Sequence, residues 1–297
     1  MTIKGLRFSI ILTTLFTTQA FAIGYPESAA FEMSMEAAGQ ILSSPALPSL
    51  DNDGKSLSPL IGVVTIEGVR EEATLGNGDP LVIDNSGTVT GKVAGLTFNY
   101  SGKGDLGFFG LLGYSKVEGD IKSVVSTFSY TTDVRDISAQ SLVGAAGLTY
   151  RLIGDDKSTF TMGIFGGPAF ISSDASANIH HDTGVTKVTT KPNISGVYFG
   201  LQLALRFGKF RINPYLNVLG NSDPQCIKPE YSGDTYATAQ YNRCDNGEAG
   251  VMTFAVLGGN GINIGYGRFQ FGLVQSGGTG QQSLKSTPVL LSFRASL

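Results

Sequence analysis

Apolar and polar residues alternate along several stretches of this chain, which is the pattern of β-strands with one apolar face. From 197 to 207 every second residue is apolar, namely Val197, Phe199, Leu201, Leu203, Leu205 and Phe207. A second alternating run, 209–220, begins directly after Gly208, so the two runs predict a tight hairpin. The end of the chain alternates in the same way, with Phe293 and Leu297 on its apolar face.

Ten stretches carry this alternation and are predicted to be strands: 59–70, 88–100, 104–118, 137–152, 158–172, 193–207, 209–220, 249–265, 267–276 and 285–297. Their connections alternate in length. Short turns are expected at 101–103, 153–157, 208 and 265–267, and long polar loops at 71–87, 119–136, 173–192, 221–248 and 277–284. We therefore predict an all-β protein, a ten-stranded antiparallel transmembrane β-barrel, with about 8 to 12 strands as the range.

Aromatic residues near the short turns support a membrane barrel. A soluble β-sandwich also has strands with alternating apolar and polar residues. A regular alternation of short and long connections over ten strands is not expected of a sandwich. Folding would bring the aromatic residues beside the short turns to one level, where rings settle at a bilayer interface. This predicted girdle consists of Tyr100, Tyr150, Phe160, Phe207, Phe210, Tyr266 and Phe269.

The first 22 residues have the features of an export signal. Lys4 and Arg7 precede an apolar run, 8–16, and the segment ends in Ala20-Phe21-Ala22, which is the small residue pattern that signal peptidases accept. The run is much shorter than the roughly 20 residues of a membrane-crossing helix, so a membrane anchor is the weaker interpretation. We predict a signal peptide at 1–22, and no later stretch offers eighteen consecutive apolar residues.

On these features, residues 58–297 resemble the bacterial outer-membrane β-barrel superfamily. The resemblance implies a location in the bacterial outer membrane, contact with outer-membrane lipid, and recognition of the final strand by the barrel assembly machinery. The strand number is similar to that of omptin surface proteases, which use aspartates and a histidine. Here the only histidines are His180 and His181, and no Asp-x-His pair occurs, so we predict that the protein is not an enzyme.

Composition narrows the function classes further. Only 15% of the 297 residues are charged and 40 are glycine, while the formal net charge is −3. The chain has no cluster of Lys and Arg, so nucleic-acid binding is excluded as a function. No cofactor-binding motif occurs, because the Gly-Gly pairs are not followed by a predicted helix.

Residues 23–57 are predicted to form a periplasmic acidic helix and a linker. Phe31, Met35, Ala38 and Leu42 recur at helical spacing beside Glu32 and Glu36. Strand parity places five arginines on the lumen face near the short turns: Arg151, Arg206, Arg211, Arg268 and Arg294. Either the acidic helix plugs this basic ring through charge-assisted pairs, or the arginines pair locally and the segment stays loose in the periplasm.

Two further sets of residues are chemical candidates. Cys226 and Cys244 are the only cysteines, and export favours a disulfide between them, which would stabilise loop 221–248 by about 3 kcal/mol on the chain-entropy model. His180, His181 and Asp182, with Asp174 nearby, form the one possible metal or catalytic group. Adjacent residues of an extended chain point in opposite directions, so we expect no metal site there.

Three functions remain open. The first is a structural or surface-interaction protein whose disulfide-pinned loop, 221–248, contacts an extracellular partner. The second is a narrow, porin-like channel in which the lumen arginines favour anions. The third is a barrel enzyme that uses His180 or His181.

Overall fold

The chain folds into one helix and a set of antiparallel strands. A computed structural model describes residues 29–42, 54–68, 70–74, 80–101, 104–125, 130–155, 158–181, 184–220, 225–227, 229–234, 251–253, 256–276, 284–293 and 295–296. The predicted signal peptide, Asp182, Cys244, Arg294 and Leu297 lie outside these described residues.

The described residues form helix α1 (Ala29–Leu42) and sixteen strands. In chain order the strands are β1 (Gly54–Gly68), β2 (Arg70–Thr74), β3 (Pro80–Ser101), β4 (Leu106–Val125), β5 (Tyr130–Ile153), β6 (Phe160–His181), β7 (Gly184–Thr190), β8 (Asn193–Phe207), β9 (Phe210–Gly220), β10 (Gln225–Ile227), β11 (Glu230–Gly233), β12 (Val251–Thr253), β13 (Val256–Tyr266), β14 (Phe269–Ser276), β15 (Leu284–Phe293) and β16 (Ala295–Ser296). No helix in the described part of the chain has the length and apolar character needed to cross a bilayer.

Ten of these strands close into a barrel. Following the ladders around the wall gives β1, β3, β4, β5, β6, β8, β9, β13, β14 and β15, and β15 pairs with β1 to complete the ring. Every neighbouring pair in the ring is antiparallel. The predicted ten-stranded antiparallel barrel is confirmed, and each predicted strand overlaps one strand of the ring.

The alternation that predicted the strands corresponds to the inner and outer faces of the wall. On β8, Val197 and Phe199 are well exposed on the outer face, whereas Tyr198 between them is completely buried. On β15, Leu291 is exposed while Leu290 is buried. In a closed barrel every second side chain points into the lumen, so the outer rows are apolar and the inner rows face the protein interior.

Three of the predicted long loops are mostly strand, which corrects their prediction. Within 119–136, β4 continues to Val125 and β5 begins at Tyr130; within 173–192, β6 reaches His181 and β7 follows; within 71–87, β3 already begins at Pro80. We call the part of this extension formed by 116–125, 130–140, 172–181 and β7 the extramembrane wall.

The error has a physical cause that β4 shows clearly. Up to Tyr114 its outer face is apolar, but further along Lys116, Glu118 and Asp120 are the exposed residues, and the buried ones are Val117 and Ile121. The outer face of β4 therefore changes from apolar to charged while its inner row, which already includes Phe109 and Leu111, stays apolar. When only the sequence is read, this loss of the apolar outer face resembles the end of a strand.

Candidate functional site: an occupied lumen and an extramembrane wall

Helix α1 lies inside the barrel. It contacts β1, β3, β4, β5, β6, β13 and β14, and its described side chains are at most 6% exposed. Most of them are apolar and belong to the same core as the inward residues of the wall. A helix that is apolar on nearly all sides is buried rather than amphipathic, and the small residues Ala37, Ala38 and Gly39 make it narrow enough for this lumen.

The C-terminal end of α1 is bound to the wall. The Tyr198 hydroxyl donates a hydrogen bond to the Leu42 carbonyl oxygen at 2.6 Å, and Asn217 Nδ2 donates to the same oxygen at 3.2 Å. The last carbonyls of a helix have no partner within the helix. Two inward side chains, from β8 and β9, therefore supply the donors that α1 lacks.

A second contact lies further toward the N-terminus of the helix. Ser141 on β5 donates to the Ser34 carbonyl oxygen at 3.2 Å and shares a 2.8 Å hydrogen bond with Ser173 on β6. All three serines are buried. Within the helix, Ser34 Oγ donates to the Phe31 carbonyl oxygen and Gln40 Nε2 donates to Glu36 Oε1 at 2.9 Å.

Glycine makes room for the helix on β4. A Cβ atom added at Gly113 would overlap Cγ2 of Ile41, which is itself completely buried. Because interiors are packed at crystal-like density, a side chain at this position would displace the helix or the wall. Gly110 on the same strand faces open space, so only one of these two glycines is required by the plug.

An aromatic layer packs beside the C-terminal end of α1. Phe165 lies 5.3 Å from Tyr198 and 5.9 Å from Phe109, measured between ring centroids. Phe109 and Tyr198 also meet at 6.1 Å. These rings project inward from β4, β6 and β8, so they share the lumen with α1.

Residues 29–42 lie within the lumen, which is the location that the plug interpretation gave them. Pairing of the acidic residues with the arginine ring remains a prediction. The helix is held through backbone carbonyls and apolar packing. The sequence analysis underestimated how much of the helix is buried, because it assigned the helix one apolar stripe and an acidic face. Ala30, Met33 and Ala37, which lie off the predicted apolar stripe, were the signal that it is buried on all sides.

The predicted basic ring is spread over different environments. Arg151 is 7% exposed on an inward row. Arg206 and Arg211 are half-buried and lie opposite each other in the register of β8 and β9. Arg211 donates to the Gly267 carbonyl oxygen at a short turn. Arg268 is exposed in that turn. With Arg294 outside the described residues, a lumen ring of all five remains a prediction.

All seven residues of the predicted aromatic girdle are exposed on the outer face, between 37% and 68%. Two of them have further aromatic neighbours, since Tyr100 stacks on Phe108 at 6.2 Å and Phe269 meets Phe293 at 5.2 Å. Their role as a girdle at the membrane interface remains a prediction.

The outer face has an apolar band of limited height. On β4 it runs from Leu106 to Tyr114 and ends at Lys116. Nine residues rise about 20 Å when a strand advances about 3.4 Å per residue and is tilted near 45°. This is close to the roughly 25 Å apolar band of outer-membrane barrels, so the wall beyond Lys116 stands outside the bilayer.

Charged and polar side chains cover the outer face of the extramembrane wall. Asp133 accepts a 2.9 Å hydrogen bond from Arg135, and this guanidinium lowers the pKa of the Asp133 carboxyl. A β-bulge follows Arg135, where Asp136 adopts a φ of +50°. Asp136 accepts a hydrogen bond from Asn178 at 2.8 Å, which ties the bulge to the neighbouring strand.

Strand geometry gives the two candidate histidines different partners. His180 lies opposite Asp133 in the β5–β6 ladder, whereas His181 contacts Thr186 Oγ1 at 3.0 Å. Within the described ranges, no three His, Cys, Asp or Glu side chains are placed to hold a metal ion. Cys226 lies on β10, but its partner lies outside the described residues, so the disulfide remains a prediction.

No family model matches the chain, and no curated protein matches it either. Solved structures do match. The outer-membrane protease OmpT from Escherichia coli is 9% identical with a TM-score of 0.50, and the match covers 86% of this chain and 100% of that one.

Two other matches are OprG from Pseudomonas aeruginosa, an outer-membrane protein, and the toluene transporter TodX from Pseudomonas putida. OprG is 9% identical with a TM-score of 0.36, covering 84% of this chain and 99% of that one. TodX is 10% identical with a TM-score of 0.40, covering 86% and 92%. With its closed ring of ten strands and its outer apolar band, the chain has the fold of the bacterial outer-membrane β-barrel proteins.

Proposed function

We propose that this protein is a closed, non-conducting barrel that holds a rigid extramembrane wall for contact with an external partner. The observation that carries the proposal is the burial of α1 in the lumen. A ten-stranded barrel has a narrow interior that side chains largely fill. Here a helix and three aromatic rings occupy that interior, which supports a lumen closed to solutes.

The wall supplies the surface for contact. Its strands are joined by continuous ladders from β3 to β7, and its inner residues, such as Ile137 and Ile179, are fully buried. Its outer face presents both charge signs, since Asp120 is exposed there together with Lys122 and Arg135. Charged groups on a preformed surface favour selective encounter with a complementary partner. The predicted contact loop, 221–248, would extend the same end of the barrel.

Planar-bilayer recording tests the closed state. The full chain is expected to give no discrete conductance steps, while deletion of 29–42 is expected to produce them, provided that the variant keeps the heat-dependent gel mobility of a folded barrel. Discrete steps from the full chain would refute the closed barrel. If the deletion variant does not fold, Ile41→Cys in the full chain is the second test, because a blocked lumen must protect its thiol from a membrane-impermeant reagent.

Surface contact is tested on intact cells that display the protein. The double variant Lys122→Glu with Arg135→Glu reverses two charges of the wall, and Lys209→Glu reverses an exposed charge in a short turn. Adhesion of the cells to host or neighbouring cell surfaces should decrease with the wall variant and remain unchanged with the turn variant. Equal adhesion for all three proteins would rule out the wall as the contact surface.

The second candidate is a narrow channel that prefers anions, with α1 as a removable plug. It is favoured by Arg151, which lies on an inward row and is 7% exposed. In that case the deletion variant should carry a current selective for anions. A current that prefers cations, or one without selectivity, would count against this candidate.

A further inference from the structure

Two lysines lie side by side on the outer face, at the upper border of the apolar band. Lys92 on β3 is directly opposite Lys116 on β4, and both are exposed. Two residues below them, Ala94 faces Tyr114, and two residues further Leu96 faces Leu112. The leucines are exposed in the apolar band, so the lysine pair stands where hydrocarbon gives way to lipid headgroups.

This pairing is unfavourable without an anion. Side chains directly opposite each other in antiparallel strands have Cβ atoms about 5 Å apart, and like charges there destabilise the sheet. Lys116 has an ion pair with Glu118, with Nζ and Oε1 2.5 Å apart. Within the described residues Lys92 has no ion pair, and the residue opposite it on β1 is Val63. One positive charge is therefore left uncompensated at this spot.

The surroundings add hydrogen-bond donors. Gln140 on β5 lies opposite Lys116, and its Oε1 accepts a 3.0 Å hydrogen bond from the Tyr114 hydroxyl. Because this bond uses the oxygen of the Gln140 amide, the NH₂ group of the same amide remains available as a donor. Two ammonium groups and an amide above a column of exposed leucines thus match the two parts of an anionic lipid, the headgroup and the acyl chains.

We propose that Lys92 and Lys116 bind a phosphate group of a membrane lipid, whose acyl chains lie on Leu96 and Leu112. The site selects lipid with a net negative headgroup over zwitterionic lipid, in which a cationic group already neutralises the phosphate. It uses only the outer face of β3, β4 and β5, so it does not depend on whether the lumen conducts.

Native mass spectrometry of the full chain in detergent micelles tests the site, with phosphatidic acid and phosphatidylcholine as probes. The double variant Lys92→Gln with Lys116→Gln removes the pair. Lys191→Gln with Lys209→Gln is the matched control, because it changes the net charge equally at two exposed positions elsewhere. A lysine near a membrane surface contributes enough that loss of both should weaken phosphatidic acid binding about thirtyfold, whereas the control should bind like the parent.

Several results would overturn the site. They are equal binding of both lipids by the parent, equal losses in the two double variants, and full retention of binding after both lysines of the pair are replaced. The site would also be overturned if millimolar inorganic phosphate bound to the two lysines in the absence of lipid and prevented lipid from binding, because the lysines would then be a site for a soluble anion. Lys92→Arg with Lys116→Arg should keep the preference, since guanidinium also binds phosphate. Unchanged heat-dependent gel mobility confirms that each variant is folded.

Discussion

Packing of Ile41 against Gly113 allows a quantitative test of the plug. Gly113→Ala adds a Cβ where Cγ2 of Ile41 already lies, and overpacking of this kind typically costs about 1–3 kcal/mol. Ile41→Ala removes the clashing branch but leaves a cavity, at a cost of about 2–5 kcal/mol. In the double variant the alanine at 113 should fit, so its own cost should fall to near zero.

The test is a double-mutant cycle. Free energies of unfolding are measured by urea titration in lipid vesicles, with the gel mobility of unheated samples as the readout. The coupling energy between positions 41 and 113 should be at least about 1 kcal/mol, as found for residues in contact. Gly110→Ala is the control on the same strand and should change stability by less than about 0.5 kcal/mol, because nothing lies near its Cβ position. Strict additivity, with Gly113→Ala as harmless as the control, would refute the enclosed helix.

Other substitutions test separate parts of the structure. Tyr198→Phe should destabilise the barrel by about 1 kcal/mol in the same titration, because it removes a buried hydrogen bond to α1; a neutral result would argue against this contact. Arg135→Ala should lower stability at pH 7 but not in acid: the pKa of Asp133 is lowered in the folded state, so its ion pair is lost as the pH falls below about 4. Cys226→Ser with Cys244→Ser should cost the loop up to about 3 kcal/mol of local stability, measured by protease nicking of folded protein, and equal nicking with and without reductant would exclude the disulfide.

The sequence predicted the ring and its strand order well, because inner and outer faces differ in polarity at every second residue. The clearest cases are β8 and β9, where the hairpin at Gly208 and the buried Tyr198 follow directly from parity. The sequence did not reveal how far strands continue beyond the bilayer. Past Tyr114 the outer face of β4 becomes charged while its inner face stays apolar, and a local pattern cannot distinguish that change from the end of the strand.

The plug was harder to predict for a different reason. Its spacing identified the helix, but its location depends on contacts that are distant in sequence, such as Leu42 with Tyr198 and Ser34 with Ser141. Gly113 carried a signal, since a glycine on an inward row of a strand makes room for a close neighbour. That neighbour could not be identified until the wall and the helix were seen together.

The enclosed helix also constrains how the molecule is made. Helix α1 precedes β1 in the chain, and the ring closes where β1 meets β15, the last of its ten strands. Once that seam has formed, hydrogen-bonded backbone encloses the helix laterally. Helix α1 must therefore enter the lumen either before the seam closes or through one end of the finished barrel, so closure of the ring and entry of the helix are coupled events in folding.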